Sequence, residues 1–107
     1  MSVTLPPPIA AYFAADSAGA GVADCFAPTG AVKDEGRTHV GRAAIARWKA
    51  EASSQYDYVS EPVAVEENGE QVLVTSRVTG NFPGSPVDLR YRFVVAADGI
   101  VRLEIGA

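Results

Sequence analysis

Val87-Asp88-Leu89-Arg90-Tyr91-Arg92-Phe93-Val94-Val95-Ala96 alternates, over most of its length, between side chains that avoid water and side chains that seek it. Leu89, Tyr91, Phe93 and Val95 fall on one side of an extended chain, with Asp88, Arg90 and Arg92 on the other. That period of two is the signature of a strand buried on one face only. Upstream, Pro83-Gly84-Ser85-Pro86 closes a second alternating run, Gln71 to Phe82, and Asn68-Gly69 separates that run from a third, Tyr56 to Glu66. Asn-Gly is a strong hairpin signal because a tight two-residue turn needs positive φ at its centre. Asp98-Gly99 then turns the chain into a last strand, Ile100 to Ile105.

These turns set the faces. Pairing about Gly84-Ser85 joins Val72, Val74, Ser76, Val78 and Phe82 to the face of Leu89, Tyr91, Phe93 and Val95. Pairing about Asn68-Gly69 adds Val59, Val63 and Val65, with Glu61 too unless a bulge intervenes. The last strand brings Val101, Leu103 and Ile105. The other face carries Thr75, Arg77, Thr79, Arg90, Arg92, Arg102 and Glu104, where Arg77 and Arg92 are expected as repelling cross-strand neighbours. One greasy face and one polar face describe a sheet covered on one side.

The cover comes from the first half. Pro6-Pro7-Pro8 opens a helix, where missing amide protons cost least. Ile9, Tyr12, Phe13 and Asp16 recur at helical spacing before Gly19 and Gly21 end it. A second short helix is expected from Val22 to Phe26, then a short strand, Ala31 to Glu35. A loop follows, holding Arg37 and His39, and a third helix from Gly41 to about Ala52, with Ile45, Trp48 and Ala52 inward and Arg42, Lys49 and Glu51 nearer solvent. The expected fold is α+β: three N-terminal helices packed on the concave face of a cone-shaped, strongly curved antiparallel sheet. The greasy face exceeds what short helices cover, so a pocket is expected.

Bulk properties narrow the function. The 107 residues suit one domain, 1–107, with a core that needs neither disulfide nor metal. Nine basic residues against thirteen acidic ones, with no basic run, make a surface that repels phosphate backbones, which argues against nucleic acid. Cys25 stands alone as a small hydrophobe, and His39 is the lone histidine, so no metal-ligand spacing exists. No apolar stretch approaches the roughly 20 residues of a membrane span, and no signal-peptide pattern opens the chain. A cytoplasmic protein without membrane partners is expected.

The order helix, helix, short strand, helix and long meander resembles the nuclear transport factor 2-like superfamily, most closely its SnoaL-like branch. The segments that carry the likeness are Tyr12-Phe13-Ala14-Ala15-Asp16, Cys25-Phe26-Ala27, Ala31-Val32-Lys33-Asp34-Glu35-Gly36, Gly41-Arg42-Ala43-Ala44-Ile45-Ala46-Arg47-Trp48 and Leu89-Arg90-Tyr91-Arg92-Phe93. The resemblance implies a hydrophobic cavity in a cone, commonly in a homodimer. Its members include isomerases, cyclases, dehydratases, hydrolases and silent binding modules, so it bears on fold more than on function. Set against ketosteroid isomerase, it implies a hydrogen-bonding tyrosine at Tyr12 and a proton-shuttling aspartate at Asp34. The second oxyanion donor of that enzyme falls on Leu89, which cannot donate, and neighbouring Asp88 should face away.

Asp34 and Tyr12 are therefore the candidate catalytic pair, with no cofactor and no metal. Phe26, Trp48, Val59, Val78, Phe82, Leu89, Tyr91, Phe93 and Leu103 are the expected walls of a site for a small hydrophobic, oxygen-bearing molecule. Glu35 should point away from Asp34 on a strand. His39 lies in a loop where it could edge a pocket mouth, but it is read as a solvated loop residue instead. Three functions remain open: a proton-transfer isomerase or cyclase, a non-catalytic ligand-binding module, and a dimerisation domain. A buried, unpaired Asp34 lining a cavity favours the first; an arginine-paired or exposed one favours the second.

Overall fold

The computed structural model describes residues 4–55 and 57–106, so Tyr56, expected to begin a strand, lies outside the described residues. Helix α1 spans Pro7–Ala18 with Pro6 as N-cap. It ends where Gly19 takes φ 78°, a conformation a Cβ resists, and where the amides of Gly19 and Ala20 close back on the Ala15 and Asp16 carbonyls. Ile9, Tyr12 and Phe13 are its buried residues. Helix α2 spans Arg42–Gln55 and buries Ile45 and Trp48. Its start is fixed by the Gly41 amide, which donates to Gly30 O at 2.8 Å, and by Arg42 Nε, which donates to Phe26 O at 3.0 Å.

Among the described residues there are two α-helices, not three. The stretch read as a second helix holds only a 3-10 turn, Ala23–Cys25. Phe26 leaves it as the first residue of strand β1, Phe26–Asp34, which is longer than the expected Ala31–Glu35. Three residues make too few hydrogen bonds to offset helix nucleation, and Pro28 blocks further turns. Cys25 is half-buried, packs against the core and donates weakly to Gly21 O at 3.6 Å.

The expected loop after Asp34 is a further departure from the sequence reading. Residues Arg37–Val40 form strand β2, paired antiparallel to β1 with Asp34 opposite Arg37. The turn between them is Glu35-Gly36, with φ 53° and 75°. Strands β3 (Tyr58–Asn68), β4 (Gln71–Gly80), β5 (Val87–Ala96) and β6 (Gly99–Gly106) complete a six-stranded sheet of order β2-β1-β6-β5-β4-β3. It is open and mixed: β1 runs parallel to β6, so the expected purely antiparallel sheet is corrected.

Two bulges revise the face assignment. Val65 sits opposite Val74 as expected, but the β3–β4 register shifts between Pro62 and Ala64. The extra residue reverses the parity of what precedes it. Val59 and Val63 are therefore 66% and 41% exposed, while Ser60 faces inward opposite Val78. A second shift, between Val94 and Val95, lets Ile100 rather than Val101 fill the buried position on β6. On the outer face Arg77 lies opposite Asp88 and pairs with it at 3.1 Å, and Arg92 lies opposite Leu73 and Glu104. The expected clash of Arg77 with Arg92 does not arise. The core is the inner face of β1, β4, β5 and β6 against α1 and α2, built from Ile9, Phe13, Phe26, Val32, Ile45, Val74, Phe93, Ile100 and Leu103.

Candidate functional site

Between α1, α2 and the inner face of the sheet lies a half-open cavity of about 590 Å³, within the usual range for small-molecule sites. Of the expected walls, Trp48, Val78, Phe82, Leu89 and Tyr91 line it, together with Asp34 and Tyr12. Phe26, Phe93 and Leu103 do not; each is fully buried in the core behind it. Val59 is on the outer face, for the reason of register given above.

Asp34 ends β1, and its carboxylate is half-buried. Trp48 Nε1 donates to its Oδ2 at 3.1 Å, from the α2 face that also packs on the core. Neither Arg37 nor Arg42 pairs with it, and among the described residues Asp34 joins no ion pair. Among the described residues, Oδ1 has no protein donor. Tyr12 enters from α1, 1% exposed, with its ring 5.1 to 6.2 Å from those of Phe13, Phe26, Tyr91 and Phe93. Its hydroxyl bonds to no described residue, yet no fully buried polar side-chain atom lacks a partner among them. The hydroxyl's remaining exposure is therefore to the cavity it lines. Burial, seconded by the nearby Tyr91 and Asp16, pushes its pKa well above the usual tyrosine value.

The cavity also holds polar residues that the predicted site did not include, among them Glu35, Arg37, His39, Lys49, Glu51 and Tyr58. Lys49, expected near solvent, pairs with Asp16 of α1 and donates to Tyr58 Oη of β3. Its ammonium also stands 4.9 Å from the centre of the Tyr58 ring and 5.4 Å from that of Trp48. Burial works against the cation, but the charge of Asp16 and the two hydrogen bonds outweigh it and raise the pKa. The signal for this pair was present: an acid ends the aromatic face of α1, and an acid held there needs a cation. His39 is half-buried on β2, lines the cavity and lies 6.2 Å from the Trp48 ring, rather than in a solvated loop. Glu35 also reaches the cavity rim, because the turn ends strand alternation at Asp34. Among the described residues no group of three or more His, Cys, Asp or Glu could hold a metal ion.

Residues 9–102 match the family described as the SnoaL-like domain. The chain belongs to that family. This SnoaL-like chain is similar to a candidate polyketide cyclase from Sinorhizobium meliloti, at 42% identity over 95% of each chain and a TM-score of 0.91. A protein of ketosteroid isomerase-like fold from Catenulispora acidiphila, crystallised with trimethylamine, is 21% identical over 97% of this chain and 87% of its own, with a TM-score of 0.82. TerC, co-crystallised with polyporic acid, is 18% identical over 94% of this chain and 88% of its own, with a TM-score of 0.80. The last two likenesses are of fold alone, and that fold is the nuclear transport factor 2-like one. No curated protein matches the SnoaL-like chain.

Proposed function

We propose that this SnoaL-like domain binds a small, largely apolar molecule bearing a carbonyl oxygen, and that Asp34 moves a proton on a carbon beside that carbonyl. The supporting observation is the setting of Asp34: on the cavity wall, held on one oxygen by Trp48, with no arginine paired to it. Oδ1 takes the proton, the C–H electron pair moves into the carbonyl, and the Tyr12 hydroxyl donates to the developing enolate oxygen. Returning the proton to another carbon isomerises the molecule. Attack of the enolate carbon on a second carbonyl closes a ring, with that carbonyl oxygen taking up the proton. Neither route needs a redox partner. The Sinorhizobium meliloti neighbour, named as a candidate cyclase, and the TerC complex with polyporic acid are consistent with an oxygenated cyclic ligand. The domain is further proposed to act as a homodimer, joined through the outer face of its sheet.

The test uses 2-tetralone, an apolar ketone with exchangeable α-protons, in deuterated buffer followed by proton NMR. The protein should accelerate exchange, and Asp34→Asn should lower that rate at least a hundredfold while changing the affinity for the ketone by less than threefold. Equal rates with Asp34→Asn, or none above buffer despite binding, would leave a ligand-binding module in place of an enzyme.

A further inference from the structure

Where β3, β4 and β5 lie side by side, two buried serines interrupt the apolar inner face of the sheet. Ser60 on β3 and Ser76 on β4 are 7% and 0% exposed, with hydroxyl oxygens 2.6 Å apart. Ser60 Oγ lies 3.5 Å from Tyr91 Oη on β5. Placing two hydroxyls where valines would pack is unfavourable unless each finds a partner. Here the two serines satisfy one another, and the row continues to a third oxygen on a residue that lines the cavity. Tyr91 sits two positions beyond Leu89 on the same face, and its ring centre is 6.2 Å from that of Tyr12. Of the three phenols that line the cavity, Tyr58 is engaged by Lys49 and Asp16, while Tyr12 from helix α1 and Tyr91 from β5 lie beside one another. Burial raises the pKa of both, so each keeps its proton.

We propose that Tyr91 is the second hydrogen-bond donor to the ligand oxygen, beside Tyr12, and that Ser60 and Ser76 are positioning residues that aim it. This supplies from β5 the donor that Leu89 cannot provide, and it rests on the cavity reading above. It also narrows the ligand: its oxygen accepts two hydrogen bonds at once, as a carbonyl or enolate does. Ser76 donates to Ser60, Ser60 donates to Tyr91 Oη, and the Tyr91 proton remains for the ligand. Charge gathering on the ligand oxygen polarises the whole row.

The test compares 2-tetralone with tetralin, which lacks only the carbonyl, by the ratio of their dissociation constants. Tyr91→Phe should shift that ratio against the ketone roughly tenfold relative to the unaltered protein, as loss of one hydrogen bond of about 1.4 kcal/mol does, with tetralin binding within twofold. Ser60→Ala should shift it the same way about threefold, Ser60→Thr should restore it, and Ser60→Ala should add nothing to Tyr91→Phe. The infrared stretch of the bound carbonyl should move back towards its free frequency in Tyr91→Phe. A ratio and a stretch unchanged by Tyr91→Phe, with both molecules still bound, would overturn the assignment and leave the cavity reading intact. Binding of neither molecule to the unaltered protein would bring down the cavity reading and this one together.

Discussion

At the scale of single residues, the chemistry divides by how local its cause is. The place of Asp34 and Tyr12 on the cavity was legible, from a short strand and a helix face that the family resemblance aligns. Lys49 was not, because its place depends on Asp16 thirty-three positions away and on how strand β3 brings Tyr58 beside it. His39 was misjudged together with the strand that carries it. The residues that the fold hides also give it a pH limit. Burial keeps the protons on Tyr12 and Tyr91, and Lys49 holds its own against burial through Asp16. An unfolded chain would release these protons near their ordinary values of about 10, so above that pH the folded state binds more protons and stability falls as pH rises. Each group adds a slope of about 1.4 kcal/mol per pH unit between its unfolded and folded pKa. Urea unfolding should show full stability at pH 8 and a steep loss from pH 10 upward. Tyr12→Phe should make the loss shallower; an unchanged slope would mean that this hydroxyl is not kept protonated by the fold.

Between residue and molecule stand the elements, where register decides the site. Alternation along β4 and β5 was legible because no bulge interrupts their pairing, and Val78, Leu89 and Tyr91 fall on the cavity as expected. Beyond Pro62 the same rule failed: one extra residue on β3 exchanged Val59 for Ser60 and so placed a hydroxyl where a valine was expected. Nothing in the spacing of apolar residues marks that shift, although Pro62 is a residue that strands tolerate mainly at edges and bulges. Strand β2 was missed because its turn is Glu35-Gly36, and glutamate rarely takes the positive φ that such a turn needs. The parallel join of β1 to β6 is the other non-local feature, and it depends on close approach at Gly30. A Cβ there would stand 2.7 Å from Ile100 O and 3.1 Å from Phe26 Cβ. Gly30→Ala should therefore push β1 off β6 and cost on the order of 2 kcal/mol, within the range seen for overpacking. Since Asp34 lies on β1, the melting temperature should drop and the Trp48 indole N–H resonance should shift. A variant as stable as the parent would mean that the strands part without cost.

For the whole molecule, the sheet has one face spent on the core and cavity and one left over. That outer face mixes Arg77, Arg90, Arg92 and Arg102 with Asp88 and Glu104, and it holds half-buried Leu73 and Val94 with exposed Val59. Charges of both signs, already paired as Arg77–Asp88 and Arg102–Glu104, can pair again across a two-fold axis, where one patch must complement itself. A standard interface buries roughly 800 Å² per partner, about one eighth of the 6384 Å² surface of this chain. The bulge turns Val59 outward, an apolar side chain opposite Thr79 among polar ones, on the face of the proposed dimer. Light scattering at micromolar concentration should then give twice the 11.2 kDa chain mass. Val59→Asp should shift the protein towards monomer without lowering the tetralin affinity of a cavity on the opposite face. A monomer before any substitution would remove the dimer, and with it the reason for Val59 to face outward, while leaving the cavity and its chemistry unaffected.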